Sequence, residues 1–309
     1  MIGRVLNALR GFRAQAKFRK AYLEYLASPA RYSNKSAQYA LRTAFLASRG
    51  TNLRWAHKRQ KAITPFSKSS PRSVLFPQID GIYIDDAVSD LETDGYHILT
   101  WRLPEDWISA AINAAQHLPV TSLLDSTDVQ LPISIMPRSA TYWHDNNVLS
   151  VNEFRQLVLD ECIKEIIGRY LQCRPVFDTV ASWWTFPAGE ADSASAQLYH
   201  FDLDRIKWVK VFVYLTDVGP ENGPHAFVRG SHRTIGRKAK RDGRYTDSEV
   251  FSLYPKSDEM IFTAPRGTVI LEDTLGFHKG VPAVNGHRFI FEYEYSINHF
   301  GYPYEDVHP

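Results

Sequence analysis

The spacing of hydrophobic positions divides the chain into a largely helical first part and a strand-rich second part. Before residue 177, apolar residues recur at intervals of three and four, and this spacing predicts helices at 104 to about 117 and at 151–171. A short strand is expected at 95–101. Beyond residue 177, β-branched and aromatic runs bounded by Gly, Pro or Asp predict strands at 178–187, 208–217, 226–229, 267–272 and 287–297.

Short strands separated by loop excursions indicate a fold class that is mainly β with flanking helices (α+β). The pattern favours a cupin-like jelly roll of two sheets, also described as a double-stranded β-helix, which can hold a metal between its sheets. Helices packed outside would brace one sheet. The polar segment 233–250 is rich in Arg, Lys, Asp and Gly, and it is predicted to be a mobile loop and a candidate active-site lid.

Charge separates the N-terminal region from the rest of the chain. Residues 1–61 carry 14 Lys and Arg residues against one acidic residue, Glu24, whereas the whole chain has 36 basic and 34 acidic residues. A stretch at 62–79 that contains several Pro and Ser residues follows and is predicted to be a poorly ordered connector. The predicted organisation is therefore a basic, largely helical N-terminal extension (1–61), a linker (62–79) and a main domain (80–309).

Apolar residues also recur at helical spacing inside the basic extension. This stripe consists of Ile2, Val5, Leu6, Leu9, Phe12, Ala16, Leu23 and Leu26. A basic amphipathic helix can lie peripherally on an anionic membrane, dock an acidic carrier protein or contact nucleic-acid phosphate. An Arg-rich, acid-poor N-terminus also suits an organellar transit peptide. The remaining alternative is a helix that packs its stripe on the main domain and leaves its charges in water.

The composition is that of a globular protein with one sizeable core, since 44% of the 309 residues are hydrophobic and 13% are aromatic. No apolar run approaches the roughly 18 residues that a membrane-spanning helix needs. We therefore expect a cytoplasmic protein, either soluble or peripheral to a membrane. Two cysteines, Cys162 and Cys173, do not imply a disulfide scaffold, and both a free pair and a single bridge fit the sequence.

One short motif in the strand-rich part indicates metal chemistry. His200 and Asp202 form the only H-x-[DE] sequence, and alternation along a strand can bring both side chains to one point. With His278 they supply two imidazoles and one carboxylate, the facial triad of non-haem Fe(II) oxygenases. A structural zinc site would add a fourth ligand, usually Cys, and no Cys-x-x-Cys occurs. Arg288 can grip a cosubstrate carboxylate, so the set points to 2-oxoglutarate.

Lys210 is a second candidate for binding the cosubstrate. It lies in an alternating run in which residues 208, 210, 212 and 214 share one face and the valines share the other. A lysine among aromatic residues on a face lining a cavity would have an anionic partner. The alternative is a solvent-exposed face on which Lys210 is simply solvated.

Several blocks of sequence follow one another in a specific order around these residues. They lie at 94–99, 199–202, 211–218, 221–224, 228–232 and 277–280, followed by Arg288. Over roughly residues 80 to 298 this order resembles the phytanoyl-CoA dioxygenase family of Fe(II)/2-oxoglutarate oxygenases. The resemblance implies that His200, Asp202 and His278 are the iron ligands and that Arg288 binds the distal carboxylate of 2-oxoglutarate. Fe(II), 2-oxoglutarate as cosubstrate and O2 are then the expected cofactors.

The resemblance also implies a reaction and limits the partners. The expected activity is that of a dioxygenase that hydroxylates a C–H bond of a small-molecule, lipid or carrier-bound acyl substrate, with succinate and carbon dioxide as coproducts. Related halogenases lack the carboxylate ligand, so Asp202 argues against halogenation. Related nucleic-acid demethylases carry a second Arg where this chain has Glu294, so nucleic acid is not expected as a partner.

Two points remain open at the level of sequence. Many members of the family place a hydroxyl residue two positions after the distal His, whereas this chain has Gly280, and Lys210 is our candidate to assist Arg288 instead. The alternative function is a non-catalytic, cupin-like metal- or ligand-binding module with a membrane- or partner-binding N-terminus.

Overall fold

The computed structural model describes residues 2–28, 35–122, 131–133, 141–144, 146–187, 197–302 and 309, without the side chains of residues 2–10, 131–132 and 146. Its helices are α1 (Ile2–Ala27), α2 (Lys35–Ser48), α3 (Thr51–Ile63), α4 (Gly81–Thr93), α5 (Glu105–Ala115), α6 (Asn152–Val158), α7 (Glu161–Leu171), α8 (Ile235–Lys238) and α9 (Asp247–Phe251). Its strands are β1 (Tyr96–Ile98), β2 (Pro119–Ser122), β3 (Leu131–Pro132), β4 (Thr141–His144), β5 (Val176–Thr185), β6 (Trp208–Tyr214), β7 (His225–Val228), β8 (Glu259–Phe262), β9 (Val269–Glu272), β10 (His278–Gly280) and β11 (Arg288–Ser296).

The strands form two antiparallel sheets. The larger sheet has the order β1-β9-β6-β11-β5-β4-β2-β3, and the smaller has the order β10-β7-β8. A small hydrophobic cluster joins the sheets, because Phe212 and Ile290 of the larger sheet pack with Phe227 and Phe262 of the smaller one. The predicted fold, mainly β with flanking helices and of the jelly-roll type, is confirmed.

The outer face of the larger sheet is covered by helices. Phe291 stacks on Phe154 of α6 with ring centroids 4.2 Å apart, and the Tyr295 hydroxyl donates to the backbone of Val158 at 3.0 Å. Alternation along β11 therefore sends its aromatic residues outward to the helices and leaves residues 288, 290, 292 and 294 facing the smaller sheet. Because both faces of this sheet are covered, polar residues on the inner face lie inside the protein.

The five strands predicted beyond residue 177 correspond to β5, β6, β7, β9 and β11, within three residues at each end. Strands β8 and β10 were not predicted; both are edge strands of the smaller sheet, and β10 has only three residues. The predicted helix at 151–171 is two helices. Asp160 interrupts it, because its carboxylate accepts from the backbone N–H groups of Cys162 and Ile163 and so caps the start of α7.

Two segments expected to be irregular are more ordered than predicted. The predicted connector 62–79 packs against the domain, with Phe76 fully buried and Ser73 donating to the Asp160 carboxylate. The predicted loop 233–250 contains α8 and most of α9, and Tyr245 within it is only 2% exposed. Turn-forming and charged residues had suggested loops in both places, but contacts with distant residues order them. The role of 233–250 as a lid remains a prediction.

The N-terminal extension packs on the domain through a different face of α1 than the one predicted. Phe18 and Tyr22 are fully buried, with their rings 5.8 Å and 5.0 Å from that of Phe300. In contrast, Phe12 and Leu23 of the predicted stripe are 72% and 44% exposed. Of the predicted stripe, Leu26 packs partly buried against the core, whereas Phe12, Ala16 and Leu23 are exposed. The prediction is therefore wrong for these three residues, because aromatic residues outside the stripe form the main contact. The side chains of Ile2, Val5, Leu6 and Leu9 lie outside the described residues.

Two further expectations concern cysteines and membranes. Cys162 and Cys173 are both buried and free, so of the two alternatives left open by the sequence the structure has the free pair and not the bridge.

Among the helices described, none combines the length and the hydrophobicity needed to cross a lipid bilayer.

Candidate active site

Three side chains from two separate parts of the chain form a cluster that can hold a metal ion. His200, Asp202 and His278 each offer one ligand atom, and these atoms all lie within 4.8 Å of one another. Nε2 of His200 lies 4.0 Å from Oδ1 of Asp202, and Nε2 of His278 lies 3.7 Å from Oδ2. Within the described ranges, no other group of His, Cys, Asp or Glu side chains has this spacing.

Backbone pairing holds the three residues together. The N–H of His200 donates to the carbonyl of His278 at 3.0 Å, and the N–H of His278 donates back at 2.9 Å. The N–H of Asp202 donates to the carbonyl of Thr274 at 2.8 Å. Phe201, between the two ligands, contacts Phe277 and lies in the main hydrophobic core. The extended segment 200–202 therefore places its polar residues at the cluster and anchors its middle residue in the core.

Hydrogen bonds behind the imidazoles orient them toward the cluster centre. Nδ1 of His200 lies 3.0 Å from the carbonyl oxygen of Leu198, and Nδ1 of His278 lies 3.0 Å from that of Gly276. Because a carbonyl oxygen can only accept, each Nδ1 carries the proton and each Nε2 keeps its lone pair. That tautomer is the one a metal-binding histidine requires when it binds through Nε2.

The surroundings of the cluster favour neutral imidazoles and an ionised carboxylate, which are the protonation states in which His and Asp bind metal ions. Burial lowers the pKa of His278 to about 4, and burial together with the charge of His278 lowers the pKa of His200 well below its usual value. Burial acts to raise the pKa of Asp202, but the Lys210 ammonium and then the two imidazoles outweigh it and hold the pKa low. Two neutral imidazoles and one ionised carboxylate form a donor set that suits Fe(II).

Arg288 lies inside the protein near this cluster. Arg288 is the first residue of β11 and is 6% exposed. Its Nη1 donates to the carbonyl of Gly223. Its Nε has no hydrogen-bond partner among the described residues, so the guanidinium keeps a buried donor for an anion. Burial is the main cause that lowers the pKa of His225 to about 3, and the charge of Arg288 is the next. The His225 ring in turn stacks on that of His278, with ring centroids 5.6 Å apart.

Gly280 leaves space beside the guanidinium. A Cβ atom added at Gly280 would lie 3.7 Å from Nη2 of Arg288, which is an ordinary van der Waals distance. The position where many members of the family carry a hydroxyl residue is therefore adjacent to Arg288 here as well. The departure from the family pattern therefore leaves Arg288 with one neighbouring side chain fewer.

Lys210 lies on the inner face of β6 and contacts the metal cluster. Its Nζ is 3.0 Å from Oδ2 of Asp202 and 3.3 Å from Oε1 of Glu292, and its side chain is 16% exposed. The solvent-exposed alternative for this face is therefore wrong. These contacts place Lys210 beside a predicted iron ligand, and its part in binding 2-oxoglutarate remains a prediction.

Acidic residues on the inner face were missed by the sequence analysis. Glu272 is fully buried on β9 and lies opposite Lys210 in register, with a carboxylate oxygen 2.9 Å from Nε2 of His225. Burial raises the pKa of Glu272 well above its usual value and also raises that of Glu292. The signal was present in the sequence, because β9 and β11 carry isolated Glu residues among apolar ones.

Comparison with known proteins agrees with this fold. The profile of the family described as phytanoyl-CoA dioxygenase (PhyH) matches residues 91–288, more than half of the chain. A search of curated proteins finds no significant match. Fe(II), 2-oxoglutarate and O2, the cofactors expected from the sequence, are those that the family uses.

Three solved structures show the same fold at low sequence identity. The epimerase SnoN in complex with Fe3+, alpha ketoglutarate and nogalamycin RO is 14% identical, with a TM-score of 0.54 over 70% of this chain and 84% of that chain. EctD from S. alaskensis with bound Fe is 17% identical, with a TM-score of 0.51 over 75% and 79%. EvdO2 from Micromonospora carbonacea var. aurantiaca is 13% identical, with a TM-score of 0.50 over 74% and 93%. With the matched profile, these observations lead to one conclusion: the chain belongs to the phytanoyl-CoA dioxygenase family.

Proposed function

We propose that this protein is an Fe(II)- and 2-oxoglutarate-dependent dioxygenase that hydroxylates a C–H bond of its substrate. The observation that carries the proposal is the cluster of His200, Asp202 and His278, whose ligand atoms lie within 4.8 Å of one another. In a facial triad, two imidazoles and one carboxylate hold one side of the metal and leave the other side for ligands, and this cluster supplies that donor set. A structural zinc site would require a fourth protein ligand instead.

When bound, Fe(II) would couple the activation of O2 to the oxidative decarboxylation of 2-oxoglutarate, which gives succinate and carbon dioxide. His200, Asp202 and His278 would hold the ion. Arg288 would bind the distal carboxylate through its guanidinium, which the carbonyl of Gly223 holds in place. Lys210 would keep Asp202 ionised and, as the sequence suggested, assist Arg288. The protein would thus contribute position, charge and protection from water.

Hydroxylation is the outcome that we favour among those open to this class. Asp202 retains the carboxylate that halogenases of the class lack, and its pKa is held low by Lys210 against the effect of burial. SnoN, which shares the fold, is described as an epimerase, so the fold alone does not select the reaction. We infer that the substrate is a small molecule, a lipid or a carrier-bound acyl group.

Succinate release is the experiment that tests the proposal. Purified protein with Fe(II), 2-oxoglutarate and O2 should release succinate, even without substrate at a low uncoupled rate, and omission of iron should stop it. Asp202→Ala should reduce the release at least 100-fold, whereas His117→Ala, at an exposed histidine outside the cluster, should not change it. Release that is independent of Asp202 would contradict the proposal, and no release at all would favour the non-catalytic binding module.

The same assay can identify the reaction when it is run with a pool of metabolites. A product heavier than its substrate by one oxygen atom would support hydroxylation. Succinate release with an isomeric product of unchanged mass would indicate epimerisation instead. A product two hydrogen atoms lighter would indicate desaturation.

A further inference from the structure

A basic cavity lies where the N-terminal extension meets the oxygenase domain. Its volume is about 490 Å³, which is in the range of pockets that bind small organic molecules. The end of α2 and the start of α3 form one wall, and α8 with the turn before it forms another. A Cβ atom at Gly236 of α8 would lie 2.8 Å from the backbone of Arg49, so glycine allows the two walls to meet.

Four arginines surround this cavity, two from each wall. Arg49 and Arg54 belong to the extension, Arg233 and Arg237 belong to the domain, and all four are exposed. Within the described part of the chain, no carboxylate lies within the 4.0 Å salt-bridge distance of any of them, although Arg42 and Arg169 elsewhere are paired. Several guanidinium groups held together without a carboxylate create a positive potential that an anion would relieve.

The start of α3 adds positive charge to the same space. Gly50 caps this 13-residue helix with a left-handed backbone (φ 78°) and no side-chain hydrogen bond, and Gly50, Leu53 and Arg54 line the cavity. Although the N–H of Asn52 donates to the Ser48 hydroxyl at 3.2 Å, the start of the helix contributes the positive end of the helix dipole. Together with the four arginines, this arrangement suits the several oxygens of a phosphate better than a single carboxylate.

The acidic groups at the cavity do not cancel this charge. Only Glu92 and Asp273 are acidic among the lining residues. The Asp273 carboxylate is engaged locally, because it accepts from the Tyr170 hydroxyl and from the N–H of Leu275. Lys207, whose ammonium lies 3.9 Å from the centre of the Tyr170 ring, also lines the cavity and adds a cation. The lining as a whole is therefore strongly basic.

This cavity is separate from the metal cluster. Phe45, which lines it, contacts Phe201, the residue between the two iron-ligand candidates His200 and Asp202. None of His200, Asp202 and His278 lines the cavity. The segment 200–202 thus stands between the two sites, with its polar side chains in one and its aromatic ring toward the other.

We propose that the cavity between the extension and the domain binds a phosphate-bearing molecule. A phosphate ester of a soluble metabolite and the headgroup of a phospholipid share this chemistry, and both fit a cavity that combines arginines with the apolar side chains of Phe45, Leu53 and Ile235. The N-terminal extension would then serve as one half of a ligand site.

The test is calorimetric titration of the full-length protein with inorganic pyrophosphate, in parallel with cosedimentation on vesicles that contain phosphatidylglycerol. We expect saturable binding of at least one probe that weakens with added salt. The double variant Arg54→Ala/Arg237→Ala should weaken that binding at least 10-fold. The matched control Arg72→Ala/Arg174→Ala removes two exposed arginines outside the cavity and should change it less than 2-fold.

Binding of pyrophosphate without vesicles would support a soluble phosphate ligand, and arginine-dependent binding to vesicles alone would support a lipid headgroup. Three outcomes would overturn the proposal: no saturable binding of either probe, equal weakening in the control variant, or equally strong binding of malonate. Because the titration needs neither iron nor 2-oxoglutarate, its result is independent of the proposed dioxygenase activity.

Discussion

His200 and His278 exchange two backbone hydrogen bonds, of 3.0 Å and 2.9 Å, and their rings lie 4.2 Å apart between centroids. His278 begins β10, an edge strand of the smaller sheet, and the pairing adds His200 to that edge as an isolated antiparallel bridge. The two imidazoles are therefore positioned by backbone rather than by side-chain packing alone. Substitution of either ring should leave the pairing of the strands in place.

Loss of one imidazole should remove metal binding without unfolding the protein. We expect His200→Ala and His278→Ala each to weaken Fe(II) binding at least 100-fold, because two ligands cannot replace a facial triad. Anaerobic titration with Fe(II) measures the affinity, and circular dichroism checks the fold. His117→Ala is the control. Unchanged affinity in either cluster variant would remove that histidine from the proposed site.

Arg288 should set the requirement for 2-oxoglutarate. Arg288→Ala should raise the concentration for half-maximal succinate release at least 10-fold, because the buried guanidinium is the proposed partner of the distal carboxylate. Gly280→Ser should lower that concentration or leave it unchanged, since a side chain fits 3.7 Å from Nη2 of Arg288 and adds a hydroxyl donor. A normal requirement in Arg288→Ala would contradict the assignment.

Lys210 can be tested separately from Arg288. Lys210→Met removes the ammonium that lies 3.0 Å from Asp202 and 3.3 Å from Glu292. If Lys210 assists Arg288, the dissociation constant of 2-oxoglutarate at saturating metal should rise about 10-fold, by the loss of one charged contact. Glu292→Gln keeps the lysine and should not produce that rise. An effect of Lys210→Met on metal affinity alone would limit this residue to positioning Asp202.

The face of α1 that packs on the domain can be tested by a matched pair of variants. Phe18→Ala should lower the free energy of unfolding by about 3–5 kcal/mol, because Phe18 is fully buried. Phe12→Ala should change it by less than about 0.5 kcal/mol, because Phe12 is 72% exposed. Urea denaturation measures both. Equal effects would mean that α1 does not pack on the domain through Phe18.

Acid should destabilise the protein through His144. This side chain is 1% exposed, its Nε2 accepts from Trp184 and its Nδ1 donates to the carbonyl of Pro119, so only the neutral form satisfies both bonds. Burial lowers its pKa to about 4 in the folded protein. The folded state therefore binds fewer protons than the unfolded state between about pH 6.5 and 4, and stability falls as the pH falls through this window.

Between pH 7 and pH 5, we expect His144 to account for a loss of about 2 kcal/mol. His144→Gln cannot titrate, so its unfolding free energy should fall by that much less over the same range. His117→Gln, at an exposed position, should follow the unaltered protein. Parallel pH profiles for His144→Gln and the unaltered protein would show that His144 does not carry this dependence.

Local patterns in the sequence predicted the jelly roll and its principal strands. Alternation and β-branched content are properties of adjacent residues, so β6 and β11 could be recognised without knowledge of their neighbours. Elements whose signal is short or depends on a distant partner were harder to predict. Strand β10, with three residues, exists because it pairs with β7, and the break between α6 and α7 depends on a cap at Asp160.

The amino-acid sequence by itself determined the candidate ligand types and their order, because the donor chemistry of His200, Asp202 and His278 belongs to the side chains. Only the tertiary structure decided what surrounds them. It paired Lys210 with Asp202 and Glu292, buried Phe18 in place of Phe12, and gathered arginines from two distant segments around one cavity. Burial and charge pairing arise from contacts between residues far apart in the chain, and no local pattern specifies which of these residues will meet.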